Sequence, residues 1–235
     1  MGALGADWAR AWLVRCAQVV AAEREALNNL DRAIGDGDHG ENLDRGFRAL
    51  GGKLGDTATA SPGEALRLAA ATLMSTVGGA AGPLYGTALL RGAKAAGTED
   101  LDAAALAQVL QAGAKGLTDR GRAEPGDKTM VDAWWPAARS AAEAAERGSS
   151  PEQVLEAAAQ AAWQGARDTE PWVARKGRAS YLGERSRGHR DPGAQSSALL
   201  LQAGLDAARE QAGSGTAGSG TTDSGTGHNA TGSDG

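Results

Sequence analysis

The sequence predicts a single all-α domain of about eight amphipathic helices. Three observations carry this expectation. Alanine fills 52 of the 235 positions while aromatic residues number nine, a composition that favours helix over sheet. Apolar residues recur at steps of three and four along most of the chain. Glycine-rich loops separate these stripes, and the composition does not break before Gly213.

The first helix follows Asp7, read as its N-cap, and carries the stripe Trp8, Trp12, Cys16, Val19, Val20, Leu27. The second is short, roughly Asn42 to Leu50. The third opens on Ser61-Pro62-Gly63-Glu64, which supplies a Ser cap, a Pro at the first helical position and a Glu at N3. A fourth starts near Pro83, a fifth follows Thr98, and a sixth begins near Lys128 with Pro136 expected to kink it or shift its boundary. The seventh repeats the Ser-Pro opening at Ser150-Pro151, and the eighth follows Pro192. From Gly213 to Gly235, Gly, Ser and Thr account for 17 of 23 residues. Such a segment buries too little apolar surface to offset its ordering entropy, so a disordered tail is expected.

Composition excludes several functions. A net charge of -5 argues against a general nucleic-acid binder. The single cysteine, Cys16, rules out an intramolecular disulfide and a multi-cysteine zinc site. No run approaches the roughly 18 apolar residues of a membrane span. The first ten residues lack a basic n-region followed by an apolar core, so a cytoplasmic protein is expected.

Four loops carry more charge or more glycine than a helix connection needs. The stretch Leu30–Asn42 holds Asp31, Asp36 and Asp38 within eight residues, interleaved with glycines and followed by His39 and Asn42. Clustered carboxylates repel unless a cation neutralises them, and hard divalent cations such as Mg²⁺ take oxygen ligands. A merely solvated acidic loop has no need of His39 and Asn42. The spacing is not that of an EF-hand, because the twelfth position counted from Asp36 is Phe47. The second loop, Val77–Leu84, is built of small residues that expose backbone N–H groups ahead of a helix, an arrangement that holds phosphate or simply lets helices pack closely. The third, Gly121–Met130, nearly matches a P-loop, but Asp127 intrudes before Lys128-Thr129 and no strand precedes it. The fourth, Arg175–Gly193, is long, has no helical period and places six Lys/Arg in nineteen residues. That composition suits a lid over phosphates. Together the loops are the parts of a Mg²⁺-nucleotide site, and phosphoryl transfer depends mainly on positioning and charge neutralisation.

These loops resemble the four signature loops of one family, in the same order: LDRAIGDGDHG at 30–40, GGAAGPLYG at 78–86, GRAEPGDKTM at 121–130 and KGRASYLGERSRGHRDPG at 176–193. The family is the nucleotide-binding L subunit of bacterial dihydroxyacetone kinase, which also occurs as the C-terminal domain of single-chain ATP-dependent kinases. The resemblance spans roughly residues 7–210. It implies a barrel of eight antiparallel amphipathic helices with the nucleotide at one end beneath a lid. It implies ADP or ATP as cofactor, with Asp31, Asp36 and Asp38 holding two Mg²⁺ ions that bridge its phosphates. His39 and Asn42 would contact the nucleotide. Gly79, Ala80 and Ala81 would meet phosphate through backbone N–H groups, and Gly121, Thr129 and Met130 would line the adenosine side. Arg178 would be the catalytic charge stabiliser, and Asp191 to Gly193 would close the site. Two positions depart from the family pattern, Ala81 and Gln195, where Ser and Thr are common, and the departures bear on the tightness of nucleotide binding, not on the metal ligands.

The resemblance also implies partners. Dihydroxyacetone would sit on a separate K subunit, and a phosphohistidine M subunit would recharge bound ADP from phosphoenolpyruvate. The alternatives are an ATP-dependent kinase half with exchanging nucleotide, and a regulatory module contacting a transcriptional regulator. A homodimer is a further implication that the apolar stripes do not decide.

Overall fold

A computed structural model describes residues 2–216. It contains α1 (Ala6–Ile34), α2 (His39–Asp56), α3 (Pro62–Thr76), α4 (Ala81–Ala96), α5 (Ala103–Gly121), α6 (Val131–Glu146), α7 (Pro151–Asp168), a 3₁₀ helix (Arg178–Ser186) and α8 (Pro192–Thr216). Among the described residues there is no strand, only an isolated antiparallel bridge between Leu4 and Leu101. No described helix is long and apolar enough to cross a membrane.

The cap signals act as their local chemistry dictates. Ser61 Oγ accepts from Glu64 N, and Ser150 closes a full capping box with Gln153. Other boundaries moved. The N-cap of α1 is Gly5, and Asp7 lies in the first turn, where it favours the positive end of the helix dipole. Helix α2 starts earlier and runs to Asp56, past Gly51 and Gly52, because Phe47, Leu50 and Leu54 keep one buried stripe in register. Asp102, not Thr98, caps α5 through Ala105 N. Pro136 is carried inside α6. It offers no N–H to the carbonyl of Asp132, and α7 brings Gly165 so close to that oxygen that any Cβ there would overlap it. Helix α8 continues to Thr216, beyond the point where the tail was expected to begin, and the rest of that expected tail lies outside the described residues.

Each helix packs on the next in the chain, and α8 returns to α1 to close the ring. Short connections make consecutive helices antiparallel. Two tryptophans secure the closure. Trp8 Nε1 donates to Gly204 O at 3.0 Å and Trp12 Nε1 to Leu200 O at 2.7 Å, with the two indole rings stacked 5.1 Å apart. The interior is filled by the buried faces of all eight α-helices, with many alanines among the core residues. Small side chains allow close helix approach, which is what the alanine excess supplies. Cys16 lies within this core, and burial pushes its thiol well above the usual range.

Candidate functional site

The alternation of helix direction gathers one set of termini at a single end. There α1 and α5 finish, α3 leads out through Gly78, and α2, α4, α6 and α8 begin, around a cavity of about 460 Å³. Four helix N-termini therefore converge on it, and each brings the partial positive charge of a helix dipole that favours an anion. The α4 terminus has no side-chain cap, and Gly79 ahead of it takes a positive φ of 64°. A Cβ at Gly78 would fall 2.7 Å from Asn42 Oδ1, so a larger residue there would push the Asn42 side chain aside.

Every residue expected to contact metal or nucleotide borders this cavity. Asp31, Asp36 and Asp38 stand on one side with His39 and Asn42, next to the Gly79-Ala80-Ala81 turn. Gly121, Thr129 and Met130 contribute another part of the wall, and Arg178, Asp191 and Gly193 come from the lid and its exit. The sequence reading missed an apolar portion made by Ile34, Leu84, Leu117, Ala123 and Val131. Nothing in the spacing of Ile34, Leu84, Leu117 and Val131 separates them from core positions on the same helices, and Ala123 lies in the loop after α5. Gln195 is not part of the wall. It accepts from Arg190 Nη1 at 2.9 Å, so its departure from the family pattern bears on the lid rather than on the ligand. His189 is exposed and also stands apart from the cavity.

The carboxylates of Asp31, Asp36 and Asp38 each offer an oxygen within 4.8 Å of the others. Asp31 is the ordered member. Its Oδ2 accepts from Gly37 N and Asp38 N at 2.9 Å and from His39 N at 3.2 Å, wrapping the loop around one oxygen. A Cβ at Gly35 would overlap Asp31 Oδ1, which leaves glycine as the fitting residue there. Burial pushes the Asp31 pKa above the ordinary carboxylate range; Asp36 adds to this and the three N–H bonds oppose it. Arg178 Nη1 pairs with Asp36 Oδ2 at 2.9 Å. An all-oxygen, multiply charged donor set of this size fits a hard divalent cation such as Mg²⁺.

A polar chain leads inward from the cavity. His39 Nε2 lies 2.8 Å from Ser196 Oγ, which lies 2.6 Å from the buried hydroxyl of Tyr85. Desolvation lowers the His39 pKa to about 4, with Asp36 acting in the opposite sense, so the ring is neutral at pH 7. A base with a depressed folded pKa binds protons more readily when unfolded. Its contribution to stability is complete above its unfolded pKa of about 6.5 and is lost as pH falls toward 4. Asp191, buried as the cap of α8, is pushed up to about 7 by desolvation and opposes this trend over the same range. The test is therefore differential. Urea unfolding of wild type and His39→Gln should give a stability difference that is constant above about pH 6.5 and shifts toward the variant at lower pH. A difference that does not change with pH would refute the assignment.

The DAK2 domain profile matches residues 33–206. The chain belongs to the DAK2 domain family. Over 200 residues this DAK2 chain is 46% identical to the ADP-binding subunit DhaL of the PEP-dependent dihydroxyacetone kinase of Escherichia coli strain K12, covering 85% of this chain and 95% of the relative. It is 44% identical over 199 residues to the corresponding DhaL of dihydroxyacetone kinase 1 of Listeria innocua, again covering 85% of this chain and 95% of the relative. Triokinase/FMN cyclase of Rattus norvegicus is 35% identical over 201 residues, where the match takes in 85% of this chain and 35% of that longer one. In fold it resembles the crystal structure of dihydroxyacetone kinase from C. freundii in complex with AMP-PNP and Mg²⁺, with a TM-score of 0.65 at 22% identity. That match covers 88% of this chain and 35% of the other.

Proposed function

We propose that this chain is the nucleotide-bearing subunit of a dihydroxyacetone kinase and passes a phosphoryl group to dihydroxyacetone on a separate K subunit. The observation that carries the reading is the convergence of three carboxylates and four helix N-termini on one cavity. Charge of both signs arranged around one space suits a metal-bound polyphosphate. Similarity along 95% of the E. coli ADP-binding subunit supports the same reading.

In this reading Asp31, Asp36 and Asp38 hold two Mg²⁺ ions, which when bound would neutralise phosphate charge. The backbone N–H groups of Gly79, Ala80 and Ala81 bind phosphate oxygens. Thr129, Met130 and Gly121, with the apolar wall, take the adenosine, and His39 and Asn42 contact the nucleotide. Arg178 stabilises charge on the group in transfer, while Asp191 and Gly193 close the site. The chain supplies no nucleophile of its own, since the acceptor hydroxyl belongs to the substrate on the K subunit. When bound, ADP would serve as a coenzyme that a phosphohistidine M subunit recharges from phosphoenolpyruvate. The E. coli and Listeria relatives of similar length carry "PEP-dependent" in their names, which favours this over free ATP exchange.

The deciding experiment desalts the purified protein in Mg²⁺, denatures it and identifies the released nucleotide, after a parallel sample has been challenged with labelled ATP. Stoichiometric ADP that resists exchange is expected. Rapid replacement by ATP would make the chain an ATP-dependent kinase half instead. Absence of transfer with both K and M partners present, despite bound nucleotide, would leave a regulatory module.

A further inference from the structure

Lys128 is the residue that the P-loop comparison singled out and that the proposed chemistry does not use. Among the described residues it is the one basic side chain that is buried, at 1% exposure. Its backbone takes a φ of 65°, a left-handed conformation that a lysine holds only where its surroundings enforce it. The ammonium donates to Ser186 O at 2.7 Å, to Trp172 O at 3.0 Å and to Glu170 O at 3.5 Å. An ammonium has three donors and no acceptor, so three carbonyls satisfy it fully. A phosphate-binding lysine would need those same protons.

The position of the carbonyls is informative. Glu170 and Trp172 lie on the segment that enters the lid from α7, and Ser186 ends the 3₁₀ helix where the lid turns back toward α8. One charge thus ties the two stems together. Gly188 N bonds to Glu170 O at 2.8 Å and Ala174 N to Ser186 Oγ at 2.9 Å, which staples the same pair of segments. Arg175 N bonds to Asp127 O at 3.0 Å, joining the stem to the loop that carries Lys128. The tip is held more lightly, by the Arg178–Asp36 ion pair and by Ala179 packed with Ile34 and Ala174. Tyr181 at the tip is 90% exposed.

We propose that Lys128 is a positioning residue for the lid: by holding both stems it keeps Arg178 over the carboxylate cluster. The bonds lost on removing its ammonium belong to the lid stems, so the lid loosens while the helix ring persists. The transfer readout below rests on the proposed function. The proteolysis readout does not.

The test compares wild type, Lys128→Met and Lys128→Arg in the full chain by limited trypsin digestion, which finds six basic residues between 175 and 190. Lys128→Met should be cut within the lid about ten-fold faster than wild type, since cleavage follows the population of the opened segment. Transfer from the bound nucleotide to dihydroxyacetone, measured with the K partner, should fall about ten-fold or more, since a small misplacement of the charge-stabilising Arg178 is costly. Lys128→Arg keeps a cation and donors and should restore part of both losses. Hydrogen exchange in α1–α5 should match wild type. Lid cleavage at the wild-type rate, or faster exchange shared by every helix, would overturn the proposal. If Lys128→Met fails to fold, wild-type hydrogen exchange decides. The amides of Ala174, Arg175 and Gly188 should then be protected at least about ten-fold more than those of residues 179–183, and equal exchange would overturn it. A wild type that binds no Mg²⁺-ADP would refute the nucleotide reading, while the trypsin rates would still test Lys128.

Discussion

Asp36→Asn and Asp38→Asn should each abolish the stabilisation that Mg²⁺-ADP confers, with the helical circular-dichroism signal intact. A ligand at about one hundred times its Kd adds about 2.7 kcal/mol to folding stability. In a chain of this size that raises Tm by roughly 5–10 °C. The variants should show less than about 1 °C of shift. Without ligand they should melt at or slightly above wild type, because each substitution removes one of three mutually repelling charges. The Asp36–Arg178 ion pair joins groups with 35% and 66% of their side chains exposed, so losing it costs little. Asp31 is the poorer position for this test, because its Oδ2 also holds three backbone N–H groups and its removal unravels the loop. A full Mg²⁺-ADP shift in either variant would dismiss the metal assignment, and a collapsed helical signal would show that the carboxylates serve the fold.

Arg178→Ala should separate binding from transfer. Phosphoryl transfer to dihydroxyacetone, measured with the K partner, should fall about 10³-fold or more, the scale at which an arginine stabilises a transferring phosphoryl group. Mg²⁺-ADP affinity should hold or rise, because Asp36 loses the guanidinium that pairs with it. Arg178→Lys keeps the charge but not the planar fork and should recover only part of the rate. Should the loss lie wholly in weaker nucleotide binding, with the rate unchanged at saturation, Arg178 would be a binding residue and not a stabiliser of the transition state.

Much of the cavity lining was legible because its candidate chemistry is written in short segments. Asp31, Asp36 and Asp38 fall within eight residues, and a cluster so close in sequence stays close in space whatever the fold around it. Caps at Ser61 and Ser150 were legible for the same reason, since a cap bonds three residues on. The apolar wall was not. Leu84 and Leu117 obey the same periodicity as core residues, and only the ring geometry exposes them to the cavity. His39 and Ser196 are separated by 157 residues, so no local pattern announces their contact.

The sequence by itself determined the all-helical class, two helix starts and the charged loops, because periodicity, capping and charge clustering act over a few residues. Tertiary structure decided the rest. It carried α2 past its glycines on a buried stripe, and it turned Gln195 toward Arg190. It also gave Lys128, whose spacing departs from the P-loop pattern, three carbonyl partners 42 to 58 residues away. A buried group must find its hydrogen-bond partners wherever the fold supplies them, and that supply is fixed by which helix ends meet, not by neighbours along the chain.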